Sequence, residues 1–513
     1  MTTSTNDLLA AEEIDIAVRT ASTSEEPIVA GFHPDPSICR GDDGFYLAHS
    51  SFEYSPGVPI WHSTDLLQWT QIGNALAGEE AATAGRFPSS GGIYAPTLRF
   101  HDGRFWLITT DIGTSGGQVI TSTADPRGGW EPLRRLDGLQ GIDPDLAWVG
   151  DDCYVTYCST DPALPGIAQA QVEPTGGRVL TQPRVIWRGT GMAHPEAPHL
   201  YHHDGWFYLV IAEGGTERGH GVSVARSRRH DGPFEAAPAN PILTHRSTTH
   251  VVQNTGHADF VQTPEGEWAA VYLGVRPQGV TPMFHVNGRE TFLSGVRWQD
   301  GWPVFDESRF VITVPDRSYS ETFTSAPLHP RWVSPGAPVG RQLRALSDGG
   351  VEVLEDSQPT RAMSAVVARV TDRRWAFDVE LDPRDGAAGV LLRLDDSHWA
   401  EVRVESGNAE AVLRVGPVQQ QLAPGARVDA GPVTARIESV PATSGGPDDL
   451  LFSVEQGGVR HPLGRADGRY LSTEVAGGFT GRVVGFRSRR GSIRVLRVEY
   501  TAMDSLTDAG GGR

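Results

Sequence analysis

The sequence predicts an all-β chain, a five-bladed β-propeller followed by a C-terminal β-sandwich. Three observations carry that expectation. From Pro27 onward, short alternating apolar runs are broken by Gly, Pro, Asn and Asp, and 60 glycines and 36 prolines supply many turns. A turn followed by aromatic strand residues recurs five times: GDDGFYLAHS at Gly41, HDGRFWLITT at His101, VGDDCYVTYC at Val149, HDGWFYLVIA at His203 and PEGEWAAVYL at Pro264. Past about Pro303 this repeat fades, and period-two alternation continues without it.

At 513 residues the chain exceeds one ordinary core, so two large domains are expected. Residues 1–26 read as a flexible N-terminal arm with weak helical periodicity at Leu8, Leu9, Ile14 and Ile16. Residues 27–315 hold the propeller. Each aromatic hairpin is preceded by a second recurring half: DPSICR, YAPTLRF, DPDLAWV, EAPHLYH and GHADFVQ. Their lead residues are Asp35, Tyr94, Asp143, Glu196 and His257, each ten or eleven residues before Phe45, Phe105, Tyr154, Phe207 and Trp268. A constant offset implies a constant place in the blade. The first strand of a propeller blade lines the central axis. The five leads should therefore converge at one mouth of the channel. ITVPDRSYSET reads as a linker. Residues 319–505, with runs such as WAFDVEL, WAEVRVE and IRVLRVEY, read as an antiparallel sandwich, and 506–513 as a disordered tail.

Composition narrows the partners. A net charge of -19 repels phosphate backbones, so nucleic acid is excluded as a partner, whereas a neutral sugar is unaffected. Cys39, Cys153 and Cys158 cannot all pair and lack metal-ligand spacing. They read as small buried apolar residues in a reducing compartment. No basic segment followed by an apolar run opens the chain, and no stretch approaches transmembrane length, so a cytoplasmic protein without a membrane partner is expected.

The leads suggest chemistry. Glycoside hydrolysis needs two carboxyl groups flanking the scissile bond, one protonated and one ionised. Asp35 and Glu196 lie on different blades and can face each other. The shorter Asp leaves room for a water as general base; the longer Glu reaches the glycosidic oxygen as general acid. Asp143 would be a third charge whose field raises Glu196. Any single Asp-Pro is ordinarily a turn device. Three acids at matching repeat positions on a buried axis are costly unless used. His257 is either a satisfied core histidine, a ligand to a water or cation on the axis, or a donor that orients Asp35. Arg289, in NGRETFL, either pairs with Glu290 at the surface or sits beside the carboxylates. Phe52 and Tyr94 are either sugar-stacking platforms or core, and Thr216 is a polar pocket candidate.

At these residues the sequence resembles glycoside hydrolase family 43, especially its β-xylosidase and α-L-arabinofuranosidase branch with an appended concanavalin-like sandwich. GFHPDPSICR, SSFEYSPGVPIWHSTDLLQW, SSGGIYAPTLRFHDGRFW, GIDPDL, HPEAPHLY, IAEGGTERGH, NPILTHR, TGHADFV and GRETFL match in family order from Gly31 to about Phe305. The resemblance implies hydrolysis with inversion, with the base at Asp35, the pKa-modulating acid at Asp143 and the general acid at Glu196. It places the axial histidine at His257, near which some relatives hold calcium, so an optional calcium ion is implied. It places the substrate-contacting arginine at Arg289, and matches Phe52, Tyr94 and Thr216 to pocket positions. It also implies a sandwich that can lend a loop to the pocket, exo action on a small oligosaccharide, and frequent self-association. IDPD for IDPS, Ala197 for Gly and Asn287 for Leu depart from the family pattern. Two rivals stand beside this reading: a retaining five-bladed fructan-type hydrolase and a non-catalytic carbohydrate-binding propeller. Inversion predicts carboxyl groups roughly 6.5–9.5 Å apart.

Overall fold

The computed structural model describes residues 20–77, 88–113, 117–324, 327–335, 338–347, 349–355 and 363–503. Five antiparallel sheets, each built from strands in chain order, form the propeller; in blade I the short strand Tyr54–Ser55 steps out to pair with Ser334–Pro335. Blade I runs Ser37–Arg40, Phe45–Ala48, Gly57–Ser63, Thr70–Leu76; blade II starts at Thr97–His101, blade III at Gly141–Val149, blade IV at Glu196–His203 and blade V at Gln253–Gln262. The turn-plus-aromatic repeats are the hairpins joining the first two strands of each blade, as in Arg40↔Phe45 and Phe100↔Phe105. Apolar residues between neighbouring blades form separate cores, such as Tyr46, Ile60, Leu98 and Leu107 between blades I and II.

The end of the expected arm is part of the fold. Residues 1–19 lie outside the described residues, but 20–26 are docked. Thr20–Ser22 pairs antiparallel with Val311–Thr313, and buried Glu26 meets Arg276 at 3.1 Å. Val29 bridges Thr291 of blade V. Both sides of the expected linker are also strand: Val311–Thr313 belongs to this closure, and Tyr319–Glu321 pairs with Ser492–Ala502 in the sandwich. Only 314–318 connect. The expected tail, 506–513, lies outside the described residues.

The sandwich packs an eight-stranded sheet on a seven-stranded one. Val433–Val440 alternates buried and half-buried along its whole length, as one face turned to a core requires. The core contains Trp375, Phe377, Val402 and Phe486. This domain is joined firmly to the propeller. Phe32 and Tyr54 of the propeller share an apolar cluster with Val333, Val367, Leu391 and Val483. Fully buried Arg393 donates to Tyr54 Oη at 2.5 Å and lies 3.3 Å from Glu53. The join matters because Glu53 and Tyr54 follow directly on Phe52.

Candidate active site

The five lead residues do meet. Asp35, Tyr94, Asp143, Glu196 and His257 line one pocket with Phe52, Thr216, His220, Arg289 and Phe479. The way they arrive differs from a ring of equivalent positions. In blades III, IV and V the pairing of the first strand slips, between Ile142 and Asp145, between Glu196 and His199, and between Gly256 and Asp259. The residues inside these bulges, Asp143, Ala197 and His257, have φ of 54°, 51° and 51°, and Asp35 has 56°. A bulge re-aims a side chain, and here it turns Asp143 and His257 to the mouth; Asp35 reaches it from the turn just ahead of the strand Ser37–Arg40. Glu196 stands one residue earlier, with Ala197 in the bulge. The hairpin offset could not separate these positions, because a bulge adds a residue without changing the turn.

Two residues further along, a buried polar cluster ties the blades together beneath the mouth. Arg99 of blade II donates to Asp145 of blade III and Asp259 of blade V, both at 2.7 Å. Ser37 of blade I donates to Asp259 at 2.7 Å, and Tyr201 of blade IV also donates to it. Asp145 further accepts from the Leu200 backbone N–H at 2.9 Å and lies 3.1 Å from His199 Nδ1. The additional acid of IDPD is therefore consumed by Arg99 and blade IV.

The two carboxyls expected to do opposite work sit in opposite environments. Burial pushes Asp35 up, but Arg289, His257 and the Ser50 hydroxyl outweigh it and hold it below the usual range. Arg289 Nη1 donates to Asp35 Oδ1 at 2.9 Å, Ser50 Oγ donates to Oδ2, and His257 Nδ1 lies 3.5 Å from Oδ1. Burial first, and the Asp35 charge second, push Glu196 up to about 7. Burial, then Glu196 and Asp35, push Asp143 well above its ordinary value. The expected field of Asp143 on Glu196 is thus replaced by that of Asp35. Asp143 is itself driven towards the neutral form and holds the acid's strand through Ala197 N–H, which donates to Oδ2 at 3.2 Å. Burial pushes His257 down to about 3 and His220 to about 4, so both imidazoles are neutral near pH 7.

Arg289 is 8% exposed and ignores Glu290, which pairs with Arg276 at 2.6 Å. Its Nη1 also donates to Thr216 Oγ1 at 3.0 Å. Gly288 before it has φ of 76°, and a Cβ there would meet Phe32 Cβ at 2.6 Å, so only glycine lets this turn deliver the arginine.

Residues 24–303 match the family described as glycosyl hydrolases family 43, and 320–490 match its β-xylosidase C-terminal concanavalin A-like domain. The chain belongs to glycosyl hydrolase family 43. It is 32% identical to a non-reducing-end α-L-arabinofuranosidase of Bacteroides ovatus over 497 residues, covering 90% of each. It is 43% identical to a xylosidase/arabinosidase of Butyrivibrio fibrisolvens over 301 residues, covering 55% of this chain and 56% of that one. The crystal structure of a family 43 protein from Bacillus licheniformis superposes with a TM-score of 0.83 at 27% identity, covering 94% of this chain and all of that one.

In this family 43 chain the sandwich supplies one wall of the pocket. Phe479 stacks on Phe52 at 5.9 Å between centroids and meets Tyr94 edge-on at 6.0 Å. Arg289 Cζ lies 5.4 Å from the Phe479 ring centre. The strap is pinned where Phe479 N–H donates to Ser90 Oγ at 2.8 Å, and Gly478, at φ 86°, leaves room for that hydroxyl. Sequence reasoning expected a loop here without naming a residue; the paired glycines ahead of an aromatic in VAGGFTG were the available signal. Ser50 and His220 were also missed, although both lie in or beside stretches that match the family pattern.

The departures are structural. Asn287 donates to the Asp372 carbonyl of the sandwich at 3.3 Å, and Ala197 is 2% exposed. Calcium takes six to eight oxygen ligands. His257 and His199 approach with ring centroids 6.4 Å apart, while Asp145 and Asp259 are committed to Arg99. Among the described residues, no group of three or more His, Cys, Asp or Glu is placed to hold a metal.

Proposed function

We propose that this family 43 hydrolase is exo-acting and inverting, and releases terminal β-D-xylosyl or α-L-arabinofuranosyl units from xylan- or arabinan-derived oligosaccharides. The observation that carries it is the opposed pair: Asp35 held ionised and Glu196 held protonated to about pH 7 on facing blades. Asp35 takes a proton from water as the water oxygen bonds to the anomeric carbon. Glu196 gives its proton to the departing glycosidic oxygen as that bond breaks. Solvent exchange returns one proton to Glu196 and removes one from Asp35. Arg289 and Ser50 keep the base ionised and in place; Asp143 fixes the backbone beside the acid. Phe52, Tyr94 and Phe479 enclose one side of the pocket, which favours a single terminal sugar over a continuous chain.

The pentose assignment rests on relatives whose names are β-xylosidase, arabinofuranosidase and xylosidase/arabinosidase. Rates on nitrophenyl β-D-xyloside and α-L-arabinofuranoside test it, and turnover of neither would sink it. NMR of the first-formed anomer tests the stereochemistry: an anomer of retained configuration would assign a covalent intermediate instead.

A further inference from the structure

The aromatic wall of the catalytic pocket converges on a serine that does not itself line it. Ser90 lies in the loop between blades I and II and spends all three of its polar groups on that wall. Its hydroxyl accepts from Phe479 N–H at 2.8 Å, its carbonyl accepts from Tyr94 Oη at 3.1 Å, and its N–H donates to Glu53 Oε2 at 2.9 Å. Glu53 follows directly on Phe52. One residue therefore meets the three chain segments that carry Phe52, Tyr94 and Phe479. Their rings contact one another at centroid distances of 5.6, 5.9 and 6.0 Å.

Two features set this serine apart. Its φ is 66°, in the left-handed region where glycine would carry no strain, and glycines do occupy positions 91 and 92. A strained residue persists where its surroundings over-determine it, and such residues cluster at functional sites. The hydroxyl that a glycine would lack is the group that holds Phe479. The second feature is the anchor. Glu53 is 2% exposed; its Oε2 holds Ser90, and its Oε1 lies 3.3 Å from Nη2 of fully buried Arg393 of the sandwich. Arg393 also donates to Ser89 Oγ at 3.2 Å and to Asp396 Oδ1 at 3.0 Å, and Asp396 N–H donates to Ser89 Oγ at 3.1 Å. A buried ion pair is weak evidence for stability, because apolar residues of similar volume often do as well. Here the pair fixes two consecutive serines between the domains.

We propose that Ser90 is a positioning residue for the terminal sugar. Its hydroxyl and carbonyl hold Phe479 and Tyr94 against Phe52, and Glu53 with Arg393 holds Ser90. The inference rests on the exo-acting pentosidase reading above. It makes the width of the pocket a property of both domains, because the sandwich strap, the loop between blades I and II and Arg393 must all be in register.

The test is steady-state kinetics of Ser90→Gly in the full chain, on whichever nitrophenyl pentoside the parent hydrolyses. Glycine keeps the left-handed backbone, the N–H to Glu53 and the carbonyl to Tyr94, and removes only the hydroxyl. Calorimetric melting checks that the fold is intact. KM should rise about 2–10-fold, the worth of one neutral hydrogen bond, while kcat changes less than KM. In Phe479→Ala the hydroxyl has no ring to place, so adding Ser90→Gly to that variant should change KM by less than about twofold. An unchanged KM in Ser90→Gly overturns the proposal, and a lowered Tm beside it would make Ser90 a structural residue only. A fall in kcat without a rise in KM also overturns it. So does a double variant whose KM effect is the product of the two single effects. A parent that hydrolyses neither pentoside defeats the pentosidase reading and this inference together. An active parent whose Ser90→Gly variant keeps its KM defeats this inference alone.

Discussion

Replacing Glu196 with Gln removes a charge with little change of shape, and its effect on stability can be worked from the pocket. Burial and the Asp35 charge lift this carboxyl from an ordinary 4.5 to about 7. Between those values the folded protein binds more protons than the unfolded chain. Its stability therefore falls as pH rises through that window and stays lower above it. The full span corresponds to roughly 3 kcal/mol. Glu196 is only partly buried, so solvent screening reduces this to about 1–3 kcal/mol. Glutamine cannot ionise and carries no such penalty. Glu196→Gln should thus be more stable than the parent by about 1–3 kcal/mol near pH 9, a Tm gain of roughly 1–5 °C for a propeller of this size. Near pH 4, where both side chains are neutral, the two proteins should melt together. Differential scanning calorimetry at both pH values reads this directly. A variant less stable than the parent near pH 9, or offset equally at both, would refute a raised Glu196. The same variant should keep most of its rate on a nitrophenyl glycoside and lose roughly 10²–10⁴-fold on an unactivated oligosaccharide, because only the poor leaving group needs its proton.

Ser50→Ala removes a donor to Asp35, so the acidic limb of the kcat/KM profile should move to higher pH while the alkaline limb, set by Glu196, stays near 7. Arg289→Met leaves Asp35 without its main counter-charge; kcat/KM should fall about 10²-fold or more, with the acidic limb again moving up. Phe479→Ala opens the sandwich-side wall, and KM for a terminal pentoside should rise more than kcat falls in steady-state assays. Arg99→Met leaves Asp145 and Asp259 buried without their cation, and urea unfolding should show a loss of about 3–5 kcal/mol.

The repeat carried most of the fold, because a blade is a local object. Its turn, its aromatic strand and its inner strand are consecutive, so sequence spacing reports them directly. The same locality makes the leads Asp35, Tyr94, Asp143, Glu196 and His257 legible as one constellation from spacing alone. It fails where one added residue changes direction. The bulges that aim Ala197 N–H at Asp143 leave the hairpin spacing untouched. It fails also at the ends, where Thr20–Ser22 owes its strand to a partner some 290 residues away.

By itself, the sequence determined which groups meet: three carboxyls, an imidazole and a phenol, set by a repeat whose period is a property of neighbouring residues. Tertiary structure alone decided what those groups are. Asp35 is an anion and Glu196 an acid to about pH 7 because Arg289 and His257, remote in the chain, and Ser50 from the same blade crowd one carboxyl and leave the other buried beside its charge. Phe479 closes the pocket because a strap of the sandwich is pinned to Ser90. Fields and walls depend on distance in space, and spacing along the chain does not record it.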